Sequence, residues 1–274
     1  MGEIKTLRCY DSYRLIMHVL SAFIFIFLEE RIMNKLRWKV LNKTLLIGGK
    51  SEMNVPDIGY IEYPWSYMKN KIETVIIDEG VEAIGRNAFS FFKKLKKVIF
   101  LANVKSIGSG AFFLCRRLTS ITIPDSVISI GNSTFDQCTG LTSIKIGNSV
   151  TSIGLGAFWG CSSLTSVTIP DNVTSIGEAA FECCAGLTSA IIGNGVTTID
   201  DYAFRYCDSL TSITIPNNVT SIGDAAFSDC TNLVSVIIEN RGMQIESGAF
   251  DGCNNLNQLT FSRCNDDDVF LIYE

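Results

Sequence analysis

The alternation of apolar and polar residues recurs along the chain with a period of 23 residues. The stretch AFWGCSSLTSVTIPDNVTSIG, from Ala157 to Gly177, returns with small changes, and eight copies begin at isoleucines from Ile84 to Ile245. If that isoleucine is counted as position 1, phenylalanine occupies position 6 and leucine position 12 in all eight copies. Such a period indicates an architecture of stacked units, each of which buries its apolar edge against its neighbours.

Two spacings of apolar residues within each copy predict two kinds of local structure. Positions 15 and 17 are almost always Ile, Val or Phe, and they alternate with mostly polar residues at positions 14 and 16. This two-residue alternation predicts a strand with one buried face. The segment AFxxCxxL places its apolar residues at positions 5, 6, 9 and 12, which predicts a short helical turn packed on the strand. A corner at position 18 leads to a second short extended piece, VTSI.

The residues on either side of the array suggest further parts of the protein. Residues 1–35 contain a 14-residue apolar run, Leu15–Leu28, which could be an export signal, a membrane anchor, a packed helix or the product of a misplaced start codon. Residues 36–83 are expected to form an N-terminal cap made of a hairpin and a degenerate half-repeat, with aromatic cover from Tyr63–Lys69. The array then occupies residues 84–262, and a short tail follows at 263–274.

The cysteines follow the same period and predict packing rather than cross-linking. Seven of the ten recur at position 9, one in each unit except the first. A single thiol in the same place of every unit is expected to be a small buried hydrophobe, mostly free of disulfides. Metal binding is less favoured because the paired spacing of zinc sites is missing. The seven are Cys115, Cys138, Cys161, Cys184, Cys207, Cys230 and Cys253.

Charge is segregated along the array, although the net charge is only −5. Between Ile84 and Pro124 there are eight basic and no acidic residues, whereas 17 acidic and four basic residues follow from Asp125 onward. Six basic residues fall around the start of the long strand in two successive units, so stacking is expected to bring their charges together. They are Lys93, Lys94, Lys96, Lys97, Arg116 and Arg117.

Such a basic surface could bind an anionic glycan, an acidic protein segment or an anionic membrane. The alternative is that these residues bind no ligand and form a solvated edge that keeps the protein soluble. Nucleic acid is disfavoured because the acidic remainder of the array would repel it. Polar side chains at positions 14 and 16 are expected to point outward together and form a second candidate contact surface. In alternate units these are Ser120, Thr122, Ser166, Thr168, Ser212 and Thr214.

Catalytic chemistry is not indicated by any motif. His18 is the only histidine and lies in the apolar N-terminal run, so no Ser–His or Cys–His pair can form within the repeats. No phosphate-binding glycine motif occurs. The acidic stretch Asn265–Asp268 lacks the spacing of a calcium loop. The sequence therefore predicts a protein that is not an enzyme and that has no cofactor or metal site.

In these repeats the chain resembles the BspA-like leucine-rich repeats, whose unit is similar to AFxxCxxLTSITIPxSVTSIG and is matched here from Ile84 to Ser262. The resemblance implies an α/β leucine-rich-repeat solenoid, strongly β in character. Each unit would contribute one short strand and one short helical turn to a right-handed superhelix. Members of the family are mostly secreted or surface-exposed, and no catalytic residues belong to the motif.

The family is associated with adhesion to extracellular matrix proteins and to cells. The resemblance therefore implies non-enzymatic binding of an extracellular-matrix or cell-surface protein, or of an anionic glycan. A membrane would be reached only through the N-terminal segment. A structural spacer, or a cytoplasmic scaffold without a ligand of its own, is the alternative.

Overall fold

The computed structural model describes residues 31–33, 36–49, 53, 63–261 and 269–270. In this part of the chain the backbone consists of strands and turns, and the one helix is a short 3-10 helix, Ser66–Met68. No helix among the described residues is long and apolar enough to cross a membrane. The predictions for Leu15–Leu28, His18 and Asn265–Asp268 concern residues outside the described ranges.

Long strands recur once in each turn of the chain, and the residue at position 15 is buried in most of them and partly buried at Ile144 and Leu259. They are β4 (Thr74–Ile77), β6 (Lys97–Phe100), β8 (Ser120–Thr122), β10 (Ser143–Lys145), β12 (Ser166–Thr168), β14 (Ser189–Ile191), β16 (Ser212–Ile215), β18 (Ser235–Ile238) and β20 (Gln258–Phe261). The predicted alternation is confirmed: in β8 and β12, for example, an exposed Ser and Thr flank a buried Ile or Val.

Two-residue strands alternate with the long ones, as the VTSI segments predict. They are β5 (Ala83–Ile84), β7 (Ser106–Ile107), β9 (Ser129–Ile130), β11 (Ser152–Ile153), β13 (Ser175–Ile176), β15 (Thr198–Ile199), β17 (Ser221–Ile222) and β19 (Gln244–Ile245). Three further strands lie N-terminal to the repeats and one lies after them: β1 (Arg31–Met33), β2 (Leu36–Leu41), β3 (Thr44–Gly49) and β21 (Val269–Phe270).

Parallel pairing in constant register stacks these strands into a solenoid. The short strands form one eight-stranded sheet running from β5 to β19. The long strands form three sheets, in the orders β1-β2-β3-β4-β6, β8-β10-β12-β14 and β16-β18-β20-β21. Ser143 pairs with Ser120 on one side and Ser166 on the other, so each residue lies beside its counterpart 23 residues away. The prediction of a strongly β solenoid with 23-residue units is confirmed.

The predicted helical turn in AFxxCxxL is wrong. Positions 4 and 8 have positive φ in all eight units, as at Ser133 (φ 51°) and Gln137 (φ 57°). A left-handed residue at every fourth position prevents a continuous right-handed helix. The amide of Phe135 donates to the carbonyl of Ala157 in the next unit at 2.7 Å. The amide of Cys138 donates to the carbonyl of Phe135, three residues earlier in the same unit, at 3.0 Å. The segment is therefore a chain of tight turns bonded to the neighbouring unit.

The phenylalanines of position 6 form a continuous stack through the core. Neighbouring rings from Phe89 to Phe250 are stacked with centroids 5.0 to 5.4 Å apart. At the N-terminal end Trp65 stacks on Phe89 at 6.1 Å, and Tyr63 stacks on Trp65 at 5.0 Å. The indole N–H of Trp65 donates to the carbonyl of Ala88 at 2.9 Å. The aromatic residues before the first full unit thus extend the same stack.

The cysteines of position 9 are free and buried, which confirms the packing prediction for the described cysteines. Each thiol donates a weak hydrogen bond to the carbonyl of the position-6 phenylalanine one unit earlier, with Sγ–O distances of 3.1 to 3.3 Å. Burial raises the pKa of the first five of these thiols, that of Cys138 to about 12, and for Cys230 and Cys253 a hydrogen bond with the neighbouring cysteine raises the pKa most, followed by burial. The thiols therefore stay protonated and unreactive while the array is folded.

An alkylating reagent at about pH 8 is expected to spare the seven buried thiols of the folded protein, because thiolate is the reactive form. Cys183 is free but only half-buried, and we expect it to react first among the eight cysteines that the structure describes. Mass spectrometry of the digested protein gives the extent of labelling at each site. In denaturant all cysteines should label equally. If Cys138 reacted as fast as Cys183 in the folded protein, the burial of the position-9 thiols would be contradicted.

The corner at positions 18 to 20 alternates between two arrangements in successive units. Pro170 occupies position 18 in one unit and Gly193 occupies it in the next, where a Cβ atom would lie 2.5 Å from the backbone of Pro170. Asp171 Oδ1 accepts the amide N–H of Asn194 across the same pair at 2.8 Å. Between the next two units, Asn218 Nδ2 donates to the carbonyl of Asn194 at 2.6 Å. The structural period at this corner is therefore two units.

Candidate functional site

The predicted basic residues lie at the corner that precedes strands β6 and β8. Lys93 and Arg116 occupy position 10 of their units, Lys94 and Arg117 occupy position 11, and all four side chains are exposed. The register of β4 and β6 pairs Thr74 with Lys97, so Lys71 lies one turn before Lys94 in the same column. We call Lys71, Lys93, Lys94, Arg116 and Arg117 the basic edge.

Lys71 was missed by the sequence reasoning, which treated residues 36–83 only as a cap. The signal that could have found it is its separation of 23 residues from Lys94. Adjacent strands lie about 4.8 Å apart, so this column presents one cation per turn over three turns. On the following unit the same two positions are Thr139 and Gly140, and the basic edge ends there.

Lys96 has a different role from its neighbours. Its Nζ lies 2.8 Å from Glu73 Oε2, and Lys43 Nζ lies 2.7 Å from Glu73 Oε1. Hydrogen bonds from Lys43 and Lys96 lower the pKa of Glu73 to about 2, so this carboxylate stays ionised at ordinary pH. Lys96 therefore connects the first unit to the β2–β3 hairpin, and part of its charge is neutralised. Lys97 begins β6 with an exposed side chain.

The basic edge itself carries uncompensated charge. Among the described residues, none of its members forms an ion pair with an acidic side chain. Acidic side chains collect elsewhere, at position 3 of later units, where Glu178, Asp201 and Asp224 follow one another. The segregation of charge along the sequence thus becomes a segregation in space, because each unit adds one turn to the same axis.

The second candidate surface is the exposed face of the long strands. Its predicted polar residues are all exposed: Ser120, Thr122, Ser166, Thr168, Ser212 and Thr214. Three of the threonine hydroxyls of position 13, those of Thr142, Thr165 and Thr188, donate to the carbonyl of the threonine one unit earlier, as Thr142 Oγ1 does to Thr119 at 3.0 Å. In the intervening units position 16 carries Lys145, Ile191 or Ile237, and Ile191 is 59% exposed. The face is therefore polar with isolated apolar side chains.

Possible metal ligands and nucleophiles among the described residues are scattered or buried. The described residues contain no group of three or more His, Cys, Asp or Glu side chains that could hold a metal ion. The cysteines of position 9 are buried and have raised pKa values, so they are poor nucleophiles. Ammonium and guanidinium groups on a rigid column can hold anionic groups by charge-assisted hydrogen bonds.

Known proteins with similar sequences or structures are leucine-rich repeat proteins. The profile of the BspA type leucine rich repeat region matches residues 63–188 and 174–267. A leucine-rich repeat protein from Bacteroides ovatus has a similar structure, with a TM-score of 0.60 and 24% identity over 84% of this chain and 70% of that chain. The leucine rich repeat protein of T. pallidum gives a TM-score of 0.57 and 25% identity over 75% of this chain and 91% of that chain. No curated protein matches the sequence.

These matches agree with the stacked 23-residue units, and the predicted resemblance is confirmed. The family profile spans the N-terminal half-repeat and the whole repeat array, which is well over half of the chain. The chain belongs to the BspA type leucine rich repeat family.

Proposed function

We propose that the protein is a non-enzymatic binding solenoid that holds an anionic extracellular ligand on its basic edge. The observation that carries the proposal is the column of exposed cations over three consecutive turns, which form no ion pair with any acidic side chain that the structure describes. A solenoid of the leucine-rich-repeat family offers a long rigid surface, which is consistent with recognition. Sulfated glycans and acidic matrix proteins are two classes of extracellular ligand with the required charge.

The arrangement of charge supports a specific contact. The cations are fixed by the register of parallel strands, so a linear anion along the axis meets several of them without reordering the backbone. Their potentials add because neighbouring cations lie within one Debye length of each other at physiological salt. The acidic later turns repel the same ligand and confine it to the N-terminal turns.

A secreted or surface location is part of the proposal. Its support is the apolar run Leu15–Leu28, whose length suits the core of an export signal, together with the location of most family members. Substitution of polar residues into this run should then abolish appearance of the protein outside the cell. If secretion or surface display were unchanged, a cytoplasmic location would replace the proposed one.

Binding to immobilised heparin and to acidic matrix proteins, measured from 50 to 500 mM salt, tests the function. Neutralising the edge with Lys93→Gln, Lys94→Gln, Arg116→Gln and Arg117→Gln is expected to weaken binding by about tenfold or more at physiological salt. Binding by the unaltered protein should fall steadily as salt rises.

The matched control adds four negative charges at positions 10 and 11 of later units, with Ser162→Glu, Ser163→Glu, Thr231→Glu and Asn254→Glu. Both variants change the net charge by the same amount, so a loss confined to the first variant assigns binding to the basic edge. Equal losses in both would indicate only a response to net charge. Absence of saturable binding to either ligand class would favour a structural spacer.

A further inference from the structure

The surface beside the basic edge is polar on the side of the long strands. Positions 13 and 14 of the first three units carry only polar side chains, all of them exposed: Lys96, Lys97, Thr119, Ser120, Thr142 and Ser143. On the other side, the exposed aromatic ring two residues before Lys93 is that of Phe91, which packs edge-on against Phe113 with centroids 5.2 Å apart. A ligand on the basic edge therefore meets a polar surface along the strands.

Backbone hydrogen bonds hold the cations of the first two full units in the same arrangement. The amide of Lys93 donates to the carbonyl of Phe91 at 2.7 Å, and that of Arg116 donates to the carbonyl of Leu114 at 2.9 Å. In both units the amide of position 12 donates to the carbonyl of position 9, at 2.9 and 3.0 Å. The cations are therefore repeated along the axis with the spacing of adjacent strands, about 4.8 Å.

This spacing and this polarity disfavour an acidic protein as the ligand. In an extended acidic segment, side chains on one face recur at every second residue, about 6.7 Å apart, so they fall out of step with one cation per turn. A folded protein partner needs apolar or aromatic anchors at the centre of its interface, and positions 13 and 14 provide none in these units. The surface therefore favours a ligand that is hydrophilic along its whole length.

We propose that the ligand of the basic edge is a linear sulfated glycan that lies along the solenoid axis, with successive sugar residues on successive turns. A pyranose ring has about the length of one strand spacing, so its anionic groups can meet Lys71, Lys94 and Arg117 in order. Ammonium and guanidinium groups bind sulfate and carboxylate by charge-assisted hydrogen bonds. The assignment rests on the proposed function, anion binding at the basic edge, and adds the class and direction of the ligand.

Calorimetric titration of the full chain with heparin oligosaccharides of increasing length, at physiological salt, tests the direction of the ligand. Affinity per site should rise up to about the tetrasaccharide and then level off, because three turns span about 10 Å, or roughly three sugar residues. Toward the C-terminus the column continues with the uncharged residues Gly140, Ser163 and Gly186. On the N-terminal side, Lys43 is held by Glu73. Longer oligosaccharides therefore find no further free cation in the column.

Lys71→Gln is expected to weaken binding of the tetrasaccharide by about threefold to tenfold, because one ion contact is lost. The slope of the logarithm of affinity against the logarithm of salt concentration should fall by about one. Lys71→Arg should retain both values. The matched control is Lys105→Gln, which removes the same charge from an exposed lysine next to β7 and should bind like the unaltered protein. For a disaccharide, Lys71→Gln should cost less, because Lys94 and Arg117 remain to bind it.

Polyglutamate, single-stranded DNA and an acidic matrix protein are the comparison ligands. If either of the first two bound as tightly as the sulfated tetrasaccharide, the edge would respond to any polyanion and the glycan assignment would be wrong. If the acidic protein bound through the basic edge and the oligosaccharides did not, the assignment would fall while the proposed anion binding stood. An effect of Lys71→Gln no larger than that of Lys105→Gln would rule out the axial direction. Absence of binding by every anion would overturn the proposed function as well.

Discussion

Phe158→Ala is expected to lower the free energy of unfolding by about 3–5 kcal/mol. The ring is completely buried in the middle of the array and is stacked between Phe135, at 5.3 Å, and Phe181, at 5.0 Å. The substitution removes apolar contacts and leaves a cavity between two rings that are held apart by the strand spacing. Urea unfolding followed by circular dichroism measures the change.

Phe250→Ala is the matched control, because Phe250 ends the same stack and is only partly buried. A solenoid is stabilised by contacts between nearest neighbours, so a defect at the end interrupts fewer of them than a defect in the middle. The control should therefore cost clearly less than Phe158→Ala. Equal costs at the two sites would contradict a continuous stack as the main support of the core.

Gly193→Ala is expected to destabilise the protein by at least about 2 kcal/mol. The added Cβ would lie 2.5 Å from the carbonyl carbon and oxygen of Pro170, and these backbone atoms cannot move without displacing the neighbouring turn. Because alanine also reduces the freedom of the unfolded chain, a glycine without this contact would gain stability from the same change. The midpoint of urea unfolding gives the measurement.

Gly242→Ala provides the comparison, since the nearest atom to its added Cβ is Asn240 Oδ1 at 3.6 Å. We expect this variant to stay within about 0.5 kcal/mol of the unaltered protein. The difference between the unfolding free energies of the two variants gives the contribution of the close contact between Gly193 and the backbone of Pro170. A tolerated Gly193→Ala would mean that the corner can open and that its alternation is not a steric requirement.

Features that repeat were predictable because each depends on neighbours that carry the same residue. The apolar residue at position 15 of the long strands and the thiol at position 9 are predictable from the period, since stacking nearly identical units packs each residue against its counterpart in the next unit. The grouping of Lys93 and Lys94 with Arg116 and Arg117 follows for the same reason. Once the period is known, sequence separation becomes distance along the axis.

The helical turn was wrong for a physical reason that apolar spacing does not contain. Residues three or four apart also fall on one side of a chain of tight turns, so the pattern around Phe135 and Cys138 suits both structures. The decision lies in the backbone bonds: the amide of Phe135 finds its acceptor in the next unit. The residues of a single unit do not reveal this bond, because its acceptor belongs to the next unit. Glycines at positions 4 and 8 of several units were the only sign in the sequence of a positive φ there.

The sequence by itself determined the repeat, the strand positions, the packed thiols and the separation of charge, because all of these are properties of one unit copied along an axis. Only the tertiary structure decided which charges are free. It pairs Lys96 with Glu73 and adds Lys71 to the basic edge. It also leaves Asp136 Oδ1 buried with no hydrogen-bond partner among the residues that the structure describes. These outcomes depend on contacts between unlike residues in different turns, and such contacts exist only when the turns are stacked.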